Sequence, residues 1–209
     1  MRPGIRSIIA SAIALSSWLA SAPAFAAALS FVSVSGVDTG DCSNPATPCR
    51  TINYAFGQTS AGGEIKAQTP GQYNAAVLIN KPITLTGVPG AALMRNVSGA
   101  LLVIQFPAAS PSGVVTITGF TFNGMAIGTN AIRVIRVGQL VIKDCEFKNF
   151  VGDALTFPTT VPVTFAIEDT LFAGNNVSGI RFQPSAGGSM KGALHRVTIT
   201  GGGAGSFGG

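Results

Sequence analysis

The sequence predicts an all-β solenoid: short strands wound into stacked laps of about 25 residues, with a short helix over the N-terminal end. Three observations carry this prediction. Glycine makes up 27 of 209 residues, against a usual share of about 7 %, and turns use glycine while helices avoid it. Charged residues are only 10 %, far below the usual share of about 25 %, which excludes a disordered polyelectrolyte and a charge-laced helical bundle. The third observation is that the chain repeats itself.

Four segments align without gaps: residues 117–122 (ITGFTF), 142–147 (IKDCEF), 167–172 (IEDTLF) and 194–199 (LHRVTI), with starts 25, 25 and 27 residues apart. Ile117, Ile142, Ile167 and Leu194 form one column. Phe120, Cys145, Thr170 and Val197 form the next, and Phe122, Phe147, Phe172 and Ile199 a third. A turn residue follows each copy: Gly124, Asn149, Gly174 and Gly201. A weaker copy precedes them at residues 83–88 (ITLTGV). A second set lies between them at residues 132–134 (IRV), 155–157 (LTF) and 180–182 (IRF). Apolar–x–apolar marks a strand with one buried face. One lap cannot bury that face alone, whereas stacked laps turn each column into a ladder of like side chains. A sandwich spaces its strands every 8–12 residues without column identity, and an outer-membrane barrel alternates over about 10 residues, so neither explains the period.

The remaining segments follow in order. Residues 1–26 read as a secretory signal: Arg2 and Arg6, an apolar stretch over 8–20, and the small-x-small site Ala24-Phe25-Ala26. Residues 27–66 hold an N-terminal strand at 31–35 and a capping helix at 48–58, with Pro48 at its start and Ile52, Ala55 and Phe56 on one face. Residues 67–201 hold the laps, entered through a turn at Pro70-Gly71. Residues 202–209 are a glycine-rich tail with too little side chain to cover the last lap, so residues after about 190 are expected to be mobile, or to be ordered by end-to-end self-association with another copy or by a continuation of the chain.

Export implies an oxidising compartment, secreted, periplasmic or at the cell surface. Cys42 and Cys49, with six residues between them in a proline-containing loop, are expected to form a local disulfide, and Cys145 to be a buried free thiol in an inward column. No span follows the leader. The net charge of +5 is spread thinly without a Lys/Arg run, so nucleic acid is excluded as a partner.

Residues 31–38 (FVSVSGVD), 48–52 (PCRTI), 61–65 (AGGEI), 70–73 (PGQY) and 83–87 (ITLTG) resemble the entry segment of right-handed parallel β-helix proteins of the pectin-lyase-like superfamily. The resemblance runs over roughly residues 29–201. It implies a right-handed parallel β-helix of exported bacterial type. It leaves activity open, because that superfamily includes polysaccharide lyases, glycoside hydrolases, adhesins, tailspikes and proteins without known activity.

Lyases of that superfamily use acidic Ca²⁺ ligands and an Arg or Lys base on the outer face of one sheet. The middle residues of the second set, Arg133, Thr156 and Arg181, are expected to point outward, with Asp153 in the neighbouring turn and Arg136 nearby, as glycan-contacting candidates. No acidic cluster accompanies them. Asp144 and Asp169, stacked one lap apart, are a weak candidate pair for Ca²⁺ or for hydrolase chemistry. Charge pairs Lys143–Glu168, Glu168–His195 and Asp169–Arg196 between laps account for the same residues without catalysis. Asp38 and Asp41, with Gly36 and Gly40, read as a turn. The expectation is an exported non-catalytic module, structural or contacting polysaccharide, without a cofactor. The alternatives are a polysaccharide lyase or hydrolase acting on acidic polysaccharide, the lyase with Ca²⁺, and an adhesin or passenger fragment.

Overall fold

The computed structural model describes residues 26–95 and 98–202. The segment expected to be a secretory signal, residues 1–26, therefore lies outside the described residues except for Ala26, as do residues 203–209 of the expected tail.

Among the described residues the chain forms β1 (Ala27–Val32), α1 (Ile52–Gln58), β2 (Thr59–Ala67), β3 (Gly71–Asn74), β4 (Val77–Ile79), β5 (Ile83–Thr86), β6 (Ala91–Met94), β7 (Ala100–Gln105) and β8 (Val114–Thr118). It continues through β9 (Thr121–Asn123), β10 (Asn130–Arg136), β11 (Gln139–Lys143), β12 (Glu146–Lys148), β13 (Leu155–Phe157), β14 (Pro162–Ala173), β15 (Ile180–Phe182) and β16 (Ser189–Thr200). The fold is mostly β, and its strands pair in parallel. Strands β1, β2, β5, β8 and β11 lead side by side to the first half of β14, and β3, β6, β9 and β12 lead to its second half. With β16 beyond β14 they make an eleven-stranded sheet, while β4, β7, β10, β13 and β15 make a five-stranded one. The described helix is too short to cross a membrane.

The register follows the sequence columns. Ile117, Ile142, Ile167 and Leu194 are successive partners, as are Phe122, Phe147, Phe172 and Ile199. The rings of Phe122 and Phe147 stack at 4.5 Å and those of Phe147 and Phe172 at 4.7 Å, all three fully buried. Ile132, Leu155 and Ile180 form the corresponding row in the five-stranded sheet. The weak copy sits differently: Leu85, not Ile83, faces Ile117, and Ile83 faces Val115. A shift of two residues preserves which side chains point inward, so alternation alone does not detect it.

The N-terminal end is closed by α1, which packs on β1, β2 and β4 with Ile52, Ala55 and Phe56 buried. The helix starts at Ile52 instead of Pro48. Cys49 is held in extended pairing with β1, where its N–H donates to the Phe31 carbonyl at 3.0 Å and its carbonyl accepts from Ser33 at 2.8 Å. Thr51 then caps the helix, its hydroxyl accepting from the Tyr54 N–H at 3.1 Å. At the other end of α1, Lys81 Nζ donates to the Phe56 and Thr59 carbonyls at 2.8 and 2.5 Å and lies 4.5 Å from the Phe56 ring. A cation there satisfies helix C-terminal carbonyls. β1 ends at Val32, short of the expected residue 35, because the chain turns where the Gly36 N–H donates to the Ser33 carbonyl. Cys42 and Cys49 are disulfide-bonded, and the loop they close lies along β1 through the 2.8 Å bond from the Phe31 N–H to the Cys42 carbonyl.

At the opposite end β16 pairs with β14 over most of its length, and no described strand pairs with its other edge. Leu194 is 47 % exposed, while Val197 and Ile199 are half-buried. Aromatic rings cover part of this end: Phe165 and Phe182 lie 5.3 Å apart, and Phe157 lies 5.5 and 5.3 Å from them. Gly192 permits this arrangement, since a Cβ there would come 2.2 Å from the Phe165 carbonyl oxygen.

Candidate functional site

The outer face of the five-stranded sheet carries the arginine column. Arg133 of β10, Thr156 of β13 and Arg181 of β15 are successive register partners. Parallel strands stack at about 4.8 Å, so the two arginines stand on the order of 10 Å apart along the stack. Both are exposed, whereas Thr156 between them is only 8 % exposed. Thr156 was expected to point outward to solvent. Its place in the column holds, but it is the buried member between two exposed arginines.

Asp153 lies in the turn before β13 and is 8 % exposed. Its Oδ1 accepts from the Ser178 hydroxyl at 2.5 Å, and its Oδ2 lies 3.5 Å from Arg181 Nη1. Its carbonyl accepts from Asn130 Nδ2 at 2.6 Å. Thus Asp153, Thr156 and Arg181 come together, with Arg133 one strand further along the column. Among the described residues no carboxylate lies within ion-pair distance of Arg133. Arg136 is turned away from this group, its Nε donating to the Phe106 carbonyl at 2.8 Å. The arrangement offers one neutralised and one unneutralised guanidinium, suited to the oxygens of an anionic chain. Ser178 was missed in the sequence. It follows Asp153 by 25 residues, so the repeat itself places it beside that carboxylate.

The aspartate pair sits on the other sheet, at the corner between the two halves. Asp144 follows β11, and Asp169 occupies the same corner within β14, with φ of 52° and 48°. Gly119 precedes them at this corner with φ 74°, and Arg196 follows with φ 50°. This left-handed conformation favours Gly, Asn and Asp, which accounts for the recurrent acid. The Asp169 carboxylate is held by Arg196, whose Nε donates to Oδ1 and whose Nη2 donates to Oδ2 at 2.6 Å. That hydrogen bonding lowers the Asp169 pKa. Of the expected charge pairs only Asp169–Arg196 forms. Lys143 and Glu168 are register partners without ion-pair contact, and His195 Nε2 lies 3.0 Å from Arg196 Nη1, not on Glu168. No group of three or more His, Cys, Asp or Glu suited to a metal occurs among the described residues.

The N-terminal acids serve turns. Asp38 accepts from the Arg50 and Thr51 N–H groups at 2.8 and 2.9 Å and from the Thr51 hydroxyl at 2.7 Å. The Ser43 N–H and hydroxyl hold the Asp41 carboxyl below its ordinary range. Cys145 is buried, and burial pushes its thiol up to about 11, which leaves it protonated and inert at neutral pH.

The chain matches no family model, no curated protein and no solved structure.

Proposed function

We propose that the chain is a right-handed parallel β-helix that acts, after export, as a non-catalytic module contacting acidic polysaccharide at the cell surface or in the periplasm. The single observation that supports the contact is the Arg133–Thr156–Arg181 column, with two exposed guanidinium groups on one sheet face. The register columns support the stacked-lap reading, since like residues pair at successive repeats in both sheets. The non-catalytic part rests on how the acids are engaged: Asp153 by Ser178 and Arg181, Asp169 by Arg196. A base for proton abstraction beside a substrate carboxylate needs a cation to hold that carboxylate, and these acids already have partners.

A glycan array probed with the mature protein tests this reading. Binding confined to carboxylated polysaccharides, weakened by salt and lost in Arg133→Ala/Arg181→Ala, is the expected result, because exposed charges are screened within about 8–10 Å at physiological ionic strength. Binding that is indifferent to salt and to both substitutions contradicts it.

A further inference from the structure

A pocket of about 230 Å³ opens on the outer surface of the eleven-stranded sheet, away from the arginine column, lined by Gln72, Asn74, Met94, Arg95 and Met125. Its floor follows from register: Gln72 and Asn74 are alternate, outward residues of β3 and face Ala92 and Met94 of β6. Met94 lies between Asn74 on one side and Asn123 on the other, so the lining residues Asn74 and Met94 are neighbours across the β3–β6 pairing. Met125 forms the far wall. Its N–H is tied to Asn123 Oδ1 at 3.0 Å, its φ is 53°, and its side chain stays 44 % exposed.

Arg95 is half-buried and held in place: its Nη1 donates to the Ala100 carbonyl at 3.0 Å and packs against Gly99, where a Cβ would approach that nitrogen to 3.1 Å. Among the described residues no carboxylate lies within ion-pair distance of it. The pocket therefore combines an oriented guanidinium that no acid neutralises, two carboxamides that both donate and accept, and two thioethers. A guanidinium fork matches the two oxygens of a carboxylate. Carboxamides match the N–H and C=O of a peptide bond, and thioethers match an apolar side chain beside them. Hydroxyl-rich sugar acids would leave the thioethers facing polar groups.

We infer that this pocket takes the terminal carboxylate of a peptide whose last side chain is apolar. The inference is independent of the polysaccharide reading, since the two sites share no residue.

The test uses the tripeptide N-acetyl-glycyl-alanyl-leucine with a free carboxylate, and the same peptide as its C-terminal amide, titrated to about 10 mM against protein carrying labelled methionine methyl groups. The expected result is a saturable shift of the Met94 and Met125 methyl signals by the acid alone. Binding should weaken at least about tenfold in Arg95→Ala and by less in Arg95→Lys, which keeps the charge and loses the fork. Lys191→Ala should leave it unchanged, and a thermal transition on each variant separates loss of the site from loss of the fold. Equal shifts from acid and amide overturn the inference. So do shifts produced by D-glucuronate but by neither peptide, and so does the absence of any shift with folded protein at the highest concentration.

Discussion

Asp144 and Asp169 occupy the same corner of successive repeats, both with the backbone in the left-handed region, at φ 52° and 48°. The recurrence of aspartate at this spacing thus reflects a left-handed backbone corner that this residue type tolerates. Gly119 occupies the same corner without any side chain, and a residue with a branched Cβ would fit it poorly.

A substitution series separates these readings. Asp144→Gly and Asp144→Asn should change stability by less than about 1 kcal/mol, while Asp144→Val should destabilise by roughly 1–3 kcal/mol, the usual cost of forcing such a residue into this region. Urea unfolding of the three variants checks the order. Calcium added to the wild type should not raise its midpoint.

The cysteines give a second prediction. Peptide mapping without reduction should find Cys42 joined to Cys49 and Cys145 free, and the short loop should contribute at most about 2–3 kcal/mol on the chain-entropy account. The Cys145 pKa rises from 9.0 to about 11 on folding. The unfolded thiol therefore loses its proton at lower pH than the folded one, and stability is intact below about pH 9 and falls as pH climbs toward 11. Cys145→Ala should flatten that alkaline decline relative to wild type. An identical decline in both would show that the thiol is not buried as described.

Lys81 should matter more than its place between two short strands suggests. It bridges the Phe56 and Thr59 carbonyls at the end of α1, and hydrogen bonds from a charged donor contribute on the order of 1–3 kcal/mol. Lys81→Met should lower stability by that amount and speed amide exchange in α1 and β1 ahead of the rest. A uniform change across the sheets would argue against a capping role.

The two ends of the molecule should differ. α1 and the Cys42–Cys49 loop cover the first, whereas the outer edge of β16 has no described partner. Amide protection should fall from β11 and β14 toward β16, and Ile199→Lys should reduce any self-association without unfolding the early strands. Slow exchange throughout β16 in a strictly monomeric sample would mean that this edge is covered.

What the sequence revealed follows from which interactions are periodic. Phe122, Phe147 and Phe172 recur because stacked strands place like side chains in contact, so the columns are legible in the sequence. The two-residue displacement of Ile83 left no trace, since it preserves the alternation. The start of α1 was hidden because the pairing of Cys49 with Phe31 overrides the preference of Pro48 for a first turn. Neither the Lys81 cap nor the grouping of Gln72 with Arg95 and Met125 could be read from spacing, because each joins residues from separate parts of the chain with no common period.

Under the proposed function the arginine column contacts acidic polysaccharide without cleaving it. Incubation of the protein with polygalacturonate, with and without Ca²⁺, measures this directly when ultraviolet absorbance of new double bonds, reducing ends and bound polymer are followed in one sample. Bound polymer that salt releases, with no double bonds and no new reducing ends in either condition, is the expected result. Double bonds that form only with Ca²⁺ and vanish in Arg181→Ala would contradict it and make the protein a lyase.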